Sequence, residues 1–211
     1  MTGRAAAIAG ILAVALAWSA VAVPALELDV IPRAGYRLGG DLQLVDGGGA
    51  ADAESSAAWG LGLGIPFDAA LRSRLELVWS HQSTDLDAVS PDGRRLGLDL
   101  DYLHLGGIVP YPTSSPAVDW FLSGGLGVTG IRASGARGSD EVRFSASVGG
   151  GIQTRMSERI ALRFEARGWF TFVDSSLALY CSGGVCLVEF ESSGFWQVET
   201  SVGLVLGVGG G

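Results

Sequence analysis

The segment LRFEAR at residues 162–167 alternates strictly in side-chain character, and this alternation limits the fold of the chain more than any other feature. Arginine and glutamate occupy the odd positions, while leucine, phenylalanine and alanine occupy the even ones. A period of two indicates a β-strand, because successive side chains of a strand point to opposite faces. The fold therefore depends on which face meets the surroundings, and on whether those surroundings are water or lipid.

The same alternation recurs in eight segments that are separated by connections of uneven length. These connections run long, short, long, short, long, short, long along the chain. In an up-and-down barrel alternate connections lie at opposite ends, and outer-membrane barrels have short turns at one end and long loops at the other. We therefore predict an all-β fold, an eight-stranded antiparallel up-and-down transmembrane β-barrel. Its strands should lie near residues 28–43, 57–66, 71–82, 96–109, 117–131, 142–156, 160–173 and 195–208.

The polar face of these segments combines charged residues with many of the 33 glycines of the chain. In a soluble barrel this face would meet water, where glycines in mid-strand weaken the strand and pack against nothing. In a transmembrane barrel the same face lines a narrow lumen, and its small residues leave room for long arginine side chains. We therefore predict that the apolar face, which includes Leu96, Leu98 and Leu100, meets lipid.

Arginines and carboxylates of nearly equal number fall on the predicted lumen face. Buried charges must be paired, and the planar guanidinium of arginine suits carboxylates because it can form two hydrogen bonds at once. We favour a salt-bridged core that closes the barrel, and a gate for slow ion passage is the alternative. The predicted network consists of Arg33, Arg37, Arg74, Glu76, Asp99, Asp101, Arg143, Arg163, Glu165, Arg167 and Glu199.

The N-terminus carries one arginine, then an alanine-rich apolar run that ends at small residues, which is typical of a signal peptide. We predict cleavage after Ala25, with Ala22 as the second choice and a retained anchor as the alternative. Residues 1–25 would then be the signal peptide and residues 26–211 the barrel domain. Because an exported chain meets an oxidising compartment, Cys181 and Cys186 are predicted to form a local disulfide.

Aromatic residues cluster near both ends of the predicted strands, where amphipathic rings would meet the two membrane interfaces. The residues near the long-loop end are Trp59, Trp79, Trp169, Trp196, Phe172 and Phe195, of which Trp169 has inward parity and fits less well. The residues near the short-turn end are Phe67, Tyr111 and Trp120.

The chain resembles the small outer-membrane β-barrel family of the OmpA/OmpX type. The resemblance rests on the signal peptide, on the loop rhythm and on the glycine-rich stretches GLGLGIPF, SGGLGVTGI and SVGGGIQTRMSERIALRFEARG. It implies a location in the cell outer membrane, insertion by the barrel-assembly machinery, contact with outer-membrane lipid or lipopolysaccharide, and a monomeric state.

The stretch WSHQS at residues 79–83 places His81 and Ser83 on the outward face near the outer rim. This pattern loosely resembles the His-x-Ser pattern of outer-membrane lipid A deacylases. A serine–histidine pair could deacylate a lipid if an acid oriented the imidazole, and Asp85 or Asp87 is the nearest acid in the sequence. The alternative is a solvated loop base.

Nothing else in the sequence points to chemistry. His104 has no second histidine or cysteine at ligand spacing, so we expect a structural role and no metal site. The net charge of −8, without a basic patch, argues against nucleic-acid binding. We therefore expect no cofactor and no enzymatic activity, and a role in envelope integrity or surface contact. The alternatives are a narrow pore or a carrier of small hydrophobic molecules, a lipid A-modifying enzyme, and a soluble secreted barrel.

Overall fold

A computed structural model of the chain contains a closed barrel of eight antiparallel strands. The structure describes residues 27–43, 50–89, 95–134, 140–172, 177–182, 185–190 and 194–209. The predicted signal peptide and its cleavage sites lie outside these residues. The prediction of an all-β, eight-stranded antiparallel barrel is confirmed. No helix in the described part of the chain is long and apolar enough to span a membrane.

The barrel strands pair in the order β1-β12-β9-β8-β7-β6-β5-β4, and β4 returns to β1 to close the sheet. Strands β4 to β8 each pair with the strand that follows in the chain. Two further pairs, β1 with β4 and β9 with β12, are interrupted only by short inserted strands, and β1 with β12 closes the up-and-down barrel. The barrel strands are β1 (Leu28–Leu38), β4 (Ser56–Asp68), β5 (Ser73–Val89), β6 (Arg95–Pro112), β7 (Val118–Ser134), β8 (Asp140–Arg155), β9 (Ile160–Phe172) and β12 (Gly194–Val208).

Two short hairpins are inserted between barrel strands. Strands β2 (Asp41–Gln43) and β3 (Ala50–Asp52) pair between β1 and β4, and β10 (Leu177–Ser182) and β11 (Val185–Phe190) pair between β9 and β12. In the second hairpin the backbone of Cys181 lies opposite that of Cys186. Their side chains lie outside the described part of the structure, so the disulfide stays a prediction.

The two ends of the barrel differ in their connections. The short-turn end carries residues 69–72, 113–117 and 156–159, together with residues 27 and 209. The opposite end, called here the loop end, carries both hairpins. Strands β5 and β6 contain 17 and 18 residues, so they extend through most of the segment that was predicted to be the loop at residues 80–95. Consequently His81 and Ser83 lie within a strand instead of at a loop base.

Alternating burial separates an inward face from an outward face along most strands. On β9, for example, Arg163, Glu165 and Arg167 are buried, whereas Phe164 is 43% exposed. The outward face of the barrel is apolar between its two ends, with Leu105 and Leu126 both more than half exposed. The arrangement therefore places ionic side chains inside the cylinder and large apolar side chains outside it.

Strand β6 differs from the prediction because its apolar pattern changes parity along its length. Leu103 and Leu105 are exposed, whereas Leu98 and Leu100 are buried inside the barrel. The ladder with β5 is regular from residue 96 to residue 108, so no bulge intervenes to turn the strand over. The outward orientation of Leu98 and Leu100 was therefore predicted wrongly. A continuous strand keeps one parity, so if Leu103 and Leu105 point outward, Leu98 and Leu100 must point inward.

The predicted aromatic belt at the loop end also needs correction at two residues. Trp169 and Phe195 were assigned to that belt, but both side chains are buried inside the barrel. The position of Trp169 between Gly168 and Phe170, both at outward parity, is consistent with strict alternation in β9. The indole therefore fills the lumen.

Inward glycines permit close approach of the strands β6 and β7. A Cβ atom on Gly106 would overlap the carbonyl oxygen of Gly124 and lie 2.7 Å from the Cα atom of Gly125. The neighbouring Gly107 is exposed, and a Cβ atom there would meet only the carbonyl oxygen of Arg74 at 3.6 Å. The two adjacent glycines thus differ in whether they have room for a side chain.

We predict that Gly106→Ala lowers the free energy of unfolding by about 1–3 kcal/mol, because the added methyl group would displace the backbone of β7. Gly107→Ala is the matched control and should change stability little or raise it by roughly 0.5–1 kcal/mol, since alanine is less flexible than glycine when unfolded. Urea unfolding of the reconstituted protein measures both. Equal effects of the two substitutions would contradict the close approach.

Candidate functional site

The centre of the barrel holds buried arginines that are paired with carboxylates. The Nε and Nη2 atoms of Arg37 donate to one carboxylate oxygen of Glu199 at 3.1 and 2.6 Å. The other oxygen of Glu199 lies 3.6 Å from the guanidinium of Arg33. All three side chains are at most 4% exposed, so the charges are compensated by each other and not by bulk water.

A second carboxylate joins this group to the next layer toward the short-turn end. Glu165 accepts hydrogen bonds from Arg33 at 3.0 Å and from Arg167 at 2.7 Å. The hydroxyl of Ser123 also donates to Glu165, at 2.6 Å. One glutamate therefore compensates two guanidinium groups, which links β1, β7 and β9 through side chains across the lumen.

The layer nearest the short-turn end contains a third pair. Arg163 contacts Glu76 at 3.1 Å, and its guanidinium also donates to the amide oxygen of Gln153. The guanidinium of Arg163 lies 5.2 Å from the centre of the Phe121 ring, which is a cation–π distance. Arg163 thus has an ionic, a polar and an aromatic partner.

Aromatic rings cover the network on the side of the loop end. The guanidinium of Arg37 lies 4.6 Å from the ring centre of Tyr102 and 5.4 Å from that of Trp169. The ring of His104 packs edge-on against Trp169 and contacts the hydroxyls of Ser145 and Ser147. The structural role that was expected for His104 agrees with these contacts.

Above the aromatic layer most of the interior is apolar. The buried apolar side chains there come from β4, β6, β7 and β12, and they are Ala58, Leu98, Leu100, Ile131, Ala133 and Phe195. Two buried polar side chains of β5, Gln82 and Thr84, lie at the same level. This mostly apolar layer, called here the apolar plug, separates the ionic network from the loop end. Leu98 and Leu100, which were predicted to point outward, are therefore part of this apolar plug.

The short-turn end is open. A funnel of about 810 Å³ enters there and ends at Phe121 and Arg163. Smaller voids beyond it, beside Arg33 and beside His104, have no room for a water molecule. Within the described residues the lumen is thus a closed-ended funnel.

The predicted network residues fall into three groups. Seven of them form the buried network: Arg33, Arg37, Glu76, Arg163, Glu165, Arg167 and Glu199. Arg74 lies at the mouth of the funnel and pairs with Asp29 at 2.6 Å, while Arg143 pairs with Glu141 at 3.0 Å near the loop end. Asp99 and Asp101 do not line the lumen, and that prediction is wrong, because their strand positions lie on the outward face.

Asp99 and Asp101 instead form an outward cluster with residues of the two neighbouring strands. His81 of β5 lies directly opposite Asp101 of β6 in the ladder, and Ser83 lies opposite Asp99. The Nδ1 atom of His81 is 2.9 Å from Asp101 Oδ1, and its Nε2 atom is 3.2 Å from Ser83 Oγ. A hydroxyl, an imidazole and a carboxylate thus form one hydrogen-bonded chain in that order.

Further contacts hold this cluster, called here the rim cluster: His81, Ser83, Asp99 and Asp101. The Ser83 hydroxyl donates to Asp99 at 2.6 Å, and the Trp79 indole donates to Asp101 at 3.3 Å. Arg132 of β7 pairs with the other oxygen of Asp101.

The rim cluster begins where the outward apolar face ends. The last outward apolar residues before it are Trp79 on β5 and Leu103 on β6. The Asp101 carboxylate pairs with Arg132 and lies within hydrogen-bond distance of His81 and Trp79. An opposite charge and hydrogen bonds of this kind stabilise the ionised form of a carboxyl group.

The acid that contacts His81 was not found from the sequence. The nearest acids in the chain, Asp85 and Asp87, were the candidates, whereas the contact comes from a residue twenty positions away on the next strand. Only the strand register could have identified it. The described residues include no group of three or more histidine, cysteine or acidic side chains arranged to hold a metal ion.

We predict that Glu199→Gln lowers the free energy of unfolding by about 3–5 kcal/mol, because it leaves the buried Arg37 without a charged partner. Glu141→Gln is the matched control, since Glu141 also pairs with an arginine but both side chains are at least 25% exposed. That variant should lose only about 0–1 kcal/mol. Urea unfolding curves compare the two, and similar losses would show that the lumen pair does not depend on burial.

Solved outer-membrane barrels share this fold. The crystal structure of Neisserial surface protein A matches with a TM-score of 0.57 and 13% identity, over 85% of this chain and 96% of that one. The outer membrane protein OprG from Pseudomonas aeruginosa matches with a TM-score of 0.53 and 13% identity, over 86% and 97%. At such identities the likeness shows the fold alone. No curated protein matches the chain.

A family model connects the sequence itself with these barrels. The model described as "Outer membrane protein beta-barrel domain" matches residues 13–174, which is more than half of the chain. The resemblance inferred from the glycine-rich stretches and the loop rhythm is confirmed. The chain belongs to the outer membrane protein beta-barrel domain family.

Proposed function

We propose that the chain is a monomeric barrel that spans the outer membrane, is closed to ions, and serves envelope integrity or surface contact through its loop end. The single observation that carries this proposal is the inversion of the usual arrangement of a soluble protein. Paired charges fill the interior, and large apolar side chains form a continuous outer band. Such a molecule is stable where the surroundings of the band are acyl chains.

The outer band is too apolar for a surface in water. Val148 is 62% exposed, Leu126 59% and Leu105 54%, and they lie on three consecutive strands. Contiguous apolar patches of more than a few hundred Å² are rare on soluble monomers and mark interaction or membrane surfaces. This supports a membrane location over the soluble secreted barrel.

Exposed aromatic residues border the band at both ends. Phe67, Tyr111 and Trp120 lie at the short-turn end, and Trp59 and Trp196 lie toward the loop end, all more than half exposed. Aromatic side chains prefer the two membrane–water interfaces, where the ring is partly in lipid and its polar atoms reach water. Because outer-membrane barrels have short turns on the periplasmic side, the short-turn end would face the periplasm.

The interior argues against a pore or a carrier. The funnel stops at Phe121 and Arg163, and the apolar plug that includes Leu98 and Leu100 lies between the ionic network and the loop end. An ion would have to leave water to cross this plug, which costs several kcal/mol or more. The funnel is lined by many charged groups, which does not suit a small hydrophobic cargo.

The expected partners follow from the membrane location. Export by the predicted signal peptide, insertion by the barrel-assembly machinery and contact with lipopolysaccharide at the loop end belong to this proposal. The hairpin that carries Cys181 and Cys186 is the largest insertion at the loop end, and a disulfide there would stiffen a surface for contact.

We expect nitroxide labels to distinguish the band from the turns in reconstituted vesicles. A label at Phe164→Cys should be relaxed by oxygen and shielded from a water-soluble nickel chelate, because oxygen partitions into lipid. A label at Met156→Cys is the control, since this turn residue is 67% exposed beyond the band, and it should show the reverse. Access of the nickel chelate to position 164 would contradict a membrane-spanning barrel.

Planar-bilayer recordings test whether the barrel is closed. The purified protein should not raise the conductance above the background of the protein-free bilayer, because the apolar plug and the ionic network block the lumen. A large porin reconstituted in the same way provides the positive control. Regular unit steps in conductance would contradict the closed lumen while leaving the membrane location intact.

A further inference from the structure

We propose that the rim cluster is a serine hydrolase site for long-chain acyl esters of outer-leaflet lipids. The inference goes beyond the closed barrel but rests on the proposed membrane location, because the lipid must lie beside the site. Ser83 would be the nucleophile, His81 the general base, and Asp101 the acid that orients the imidazole. A serine–histidine–acid site is recognised by geometry and roles, not by order in the sequence.

Both nitrogens of the imidazole have the partners that this chemistry needs. The Nδ1 atom lies 2.9 Å from Oδ1 of Asp101, and the Nε2 atom lies 3.2 Å from the hydroxyl oxygen of Ser83. An ionised acid at Nδ1 fixes the tautomer in which Nε2 can accept the serine proton. The strand register produces this geometry, because His81 of β5 lies directly opposite Asp101 of the adjacent strand β6.

The groups around the triad hold it in place. The ring of His81 stacks on Trp79 with centres 6.4 Å apart and meets Trp59 at 5.5 Å. The indole of Trp79 donates to Asp101, and Arg132 pairs with the same carboxylate.

The position of the cluster points to a lipid substrate. Ser83 is exposed on the outward face, and the apolar band begins at Trp79 and Leu103 immediately toward the short-turn end. Acyl chains could lie against this band while the ester carbonyl, which belongs to the interfacial layer of a lipid, reaches Ser83. A water-soluble ester would gain nothing from such an apolar surface.

The reaction would proceed in two balanced steps. Ser83 Oγ attacks the ester carbonyl carbon while its proton moves to His81 Nε2, and the ester C–O bond then breaks as His81 returns that proton to the departing alcohol. Water next attacks the acyl-serine with His81 as the base. This step releases the fatty acid and restores the hydroxyl.

Asp99 competes with His81 for the serine. The hydroxyl of Ser83 has one proton, and in this structure it donates that proton to Asp99 at 2.6 Å. The hydroxyl must rotate toward Nε2 before attack, so Asp99 restrains the nucleophile. Asp99→Ala should therefore raise the rate of acyl release.

The test uses the mature chain folded in vesicles that contain phosphatidylethanolamine and phosphatidylglycerol, and separately in mixtures with purified lipopolysaccharide. Mass spectrometry measures the released fatty acid and the remaining lipid, and a fluorophosphonate probe measures covalent labelling of the serine. Release from only one mixture identifies the phospholipid or the lipopolysaccharide as the source of the ester. Heat-modifiable gel migration shows that each variant is folded.

We expect Ser83→Ala and His81→Ala to lower acyl release by about 10³-fold or more and to abolish probe labelling. Asp101→Asn should lower it by about 10²–10⁴-fold, and Asp101→Glu should restore part of it. The loss in Asp101→Asn should appear in kcat with KM nearly unchanged, because the carboxylate orients the imidazole and does not bind the lipid. A merely structural aspartate would instead lower the folded fraction seen by heat-modifiable gel migration.

Ser157→Ala is the control and should leave acyl release within about twofold of the wild-type rate, because Ser157 lies in a turn at the opposite end of the barrel. Folded wild-type protein that neither releases fatty acid from either mixture nor reacts with the probe would overturn the hydrolase site. Loss of activity in Asp99→Ala would also contradict it. If the barrel fails to insert, the proposed membrane location fails instead, and probe labelling in detergent still tests the triad.

Discussion

The pairing of arginines with glutamates inside a cylinder only eight strands wide is the interaction on which the rest of the structure depends. An arginine that points inward has no bulk water, so every guanidinium must reach a carboxylate or a polar side chain. Glu165 and Glu199 each serve two arginines and thereby join β1, β9 and the strands beside them. The inward glycines follow from the same constraint, because they free the volume that long guanidinium side chains occupy.

The outer face follows from the inner one. With the charges enclosed, strict alternation leaves the apolar side chains on the outside over the length that a bilayer would cover. Beyond that length the outward side chains no longer need to be apolar. The outward positions of β5, β6 and β7 accordingly change from Trp79, Leu103 and Val128 to His81, Asp101 and Arg132.

Two sequence patterns, the alternation of polar and apolar residues and the alternation of long and short connections, were sufficient to predict the eight strands, the closed barrel and seven members of the buried network. These features depend only on which face of its own strand each residue occupies. Parity fails where a strand extends past the apolar band. On β6 the apolar residues change face at Tyr102 and Leu103, so the sequence offers two parities and only pairing with both neighbours decides between them. Asp99 and Asp101 were therefore placed in the lumen and Leu98 and Leu100 outside it. The two errors have one cause.

The corrected parity has a chemical consequence that neither strand shows alone. Placed outward, Asp101 comes opposite His81, and a His-x-Ser pair gains the carboxylate that it lacks within its own strand. An antiparallel ladder places the Cβ atoms of paired residues about 4.5–5.5 Å apart. The ends of an acid and an imidazole at such positions can therefore reach hydrogen-bond distance, as Asp101 and His81 do at 2.9 Å. The acid of such a site has no fixed separation in sequence from the histidine, since the connection between the strands sets it. In a barrel of this kind, outward polar residues at the end of the apolar band should therefore be considered across neighbouring strands and not along one strand.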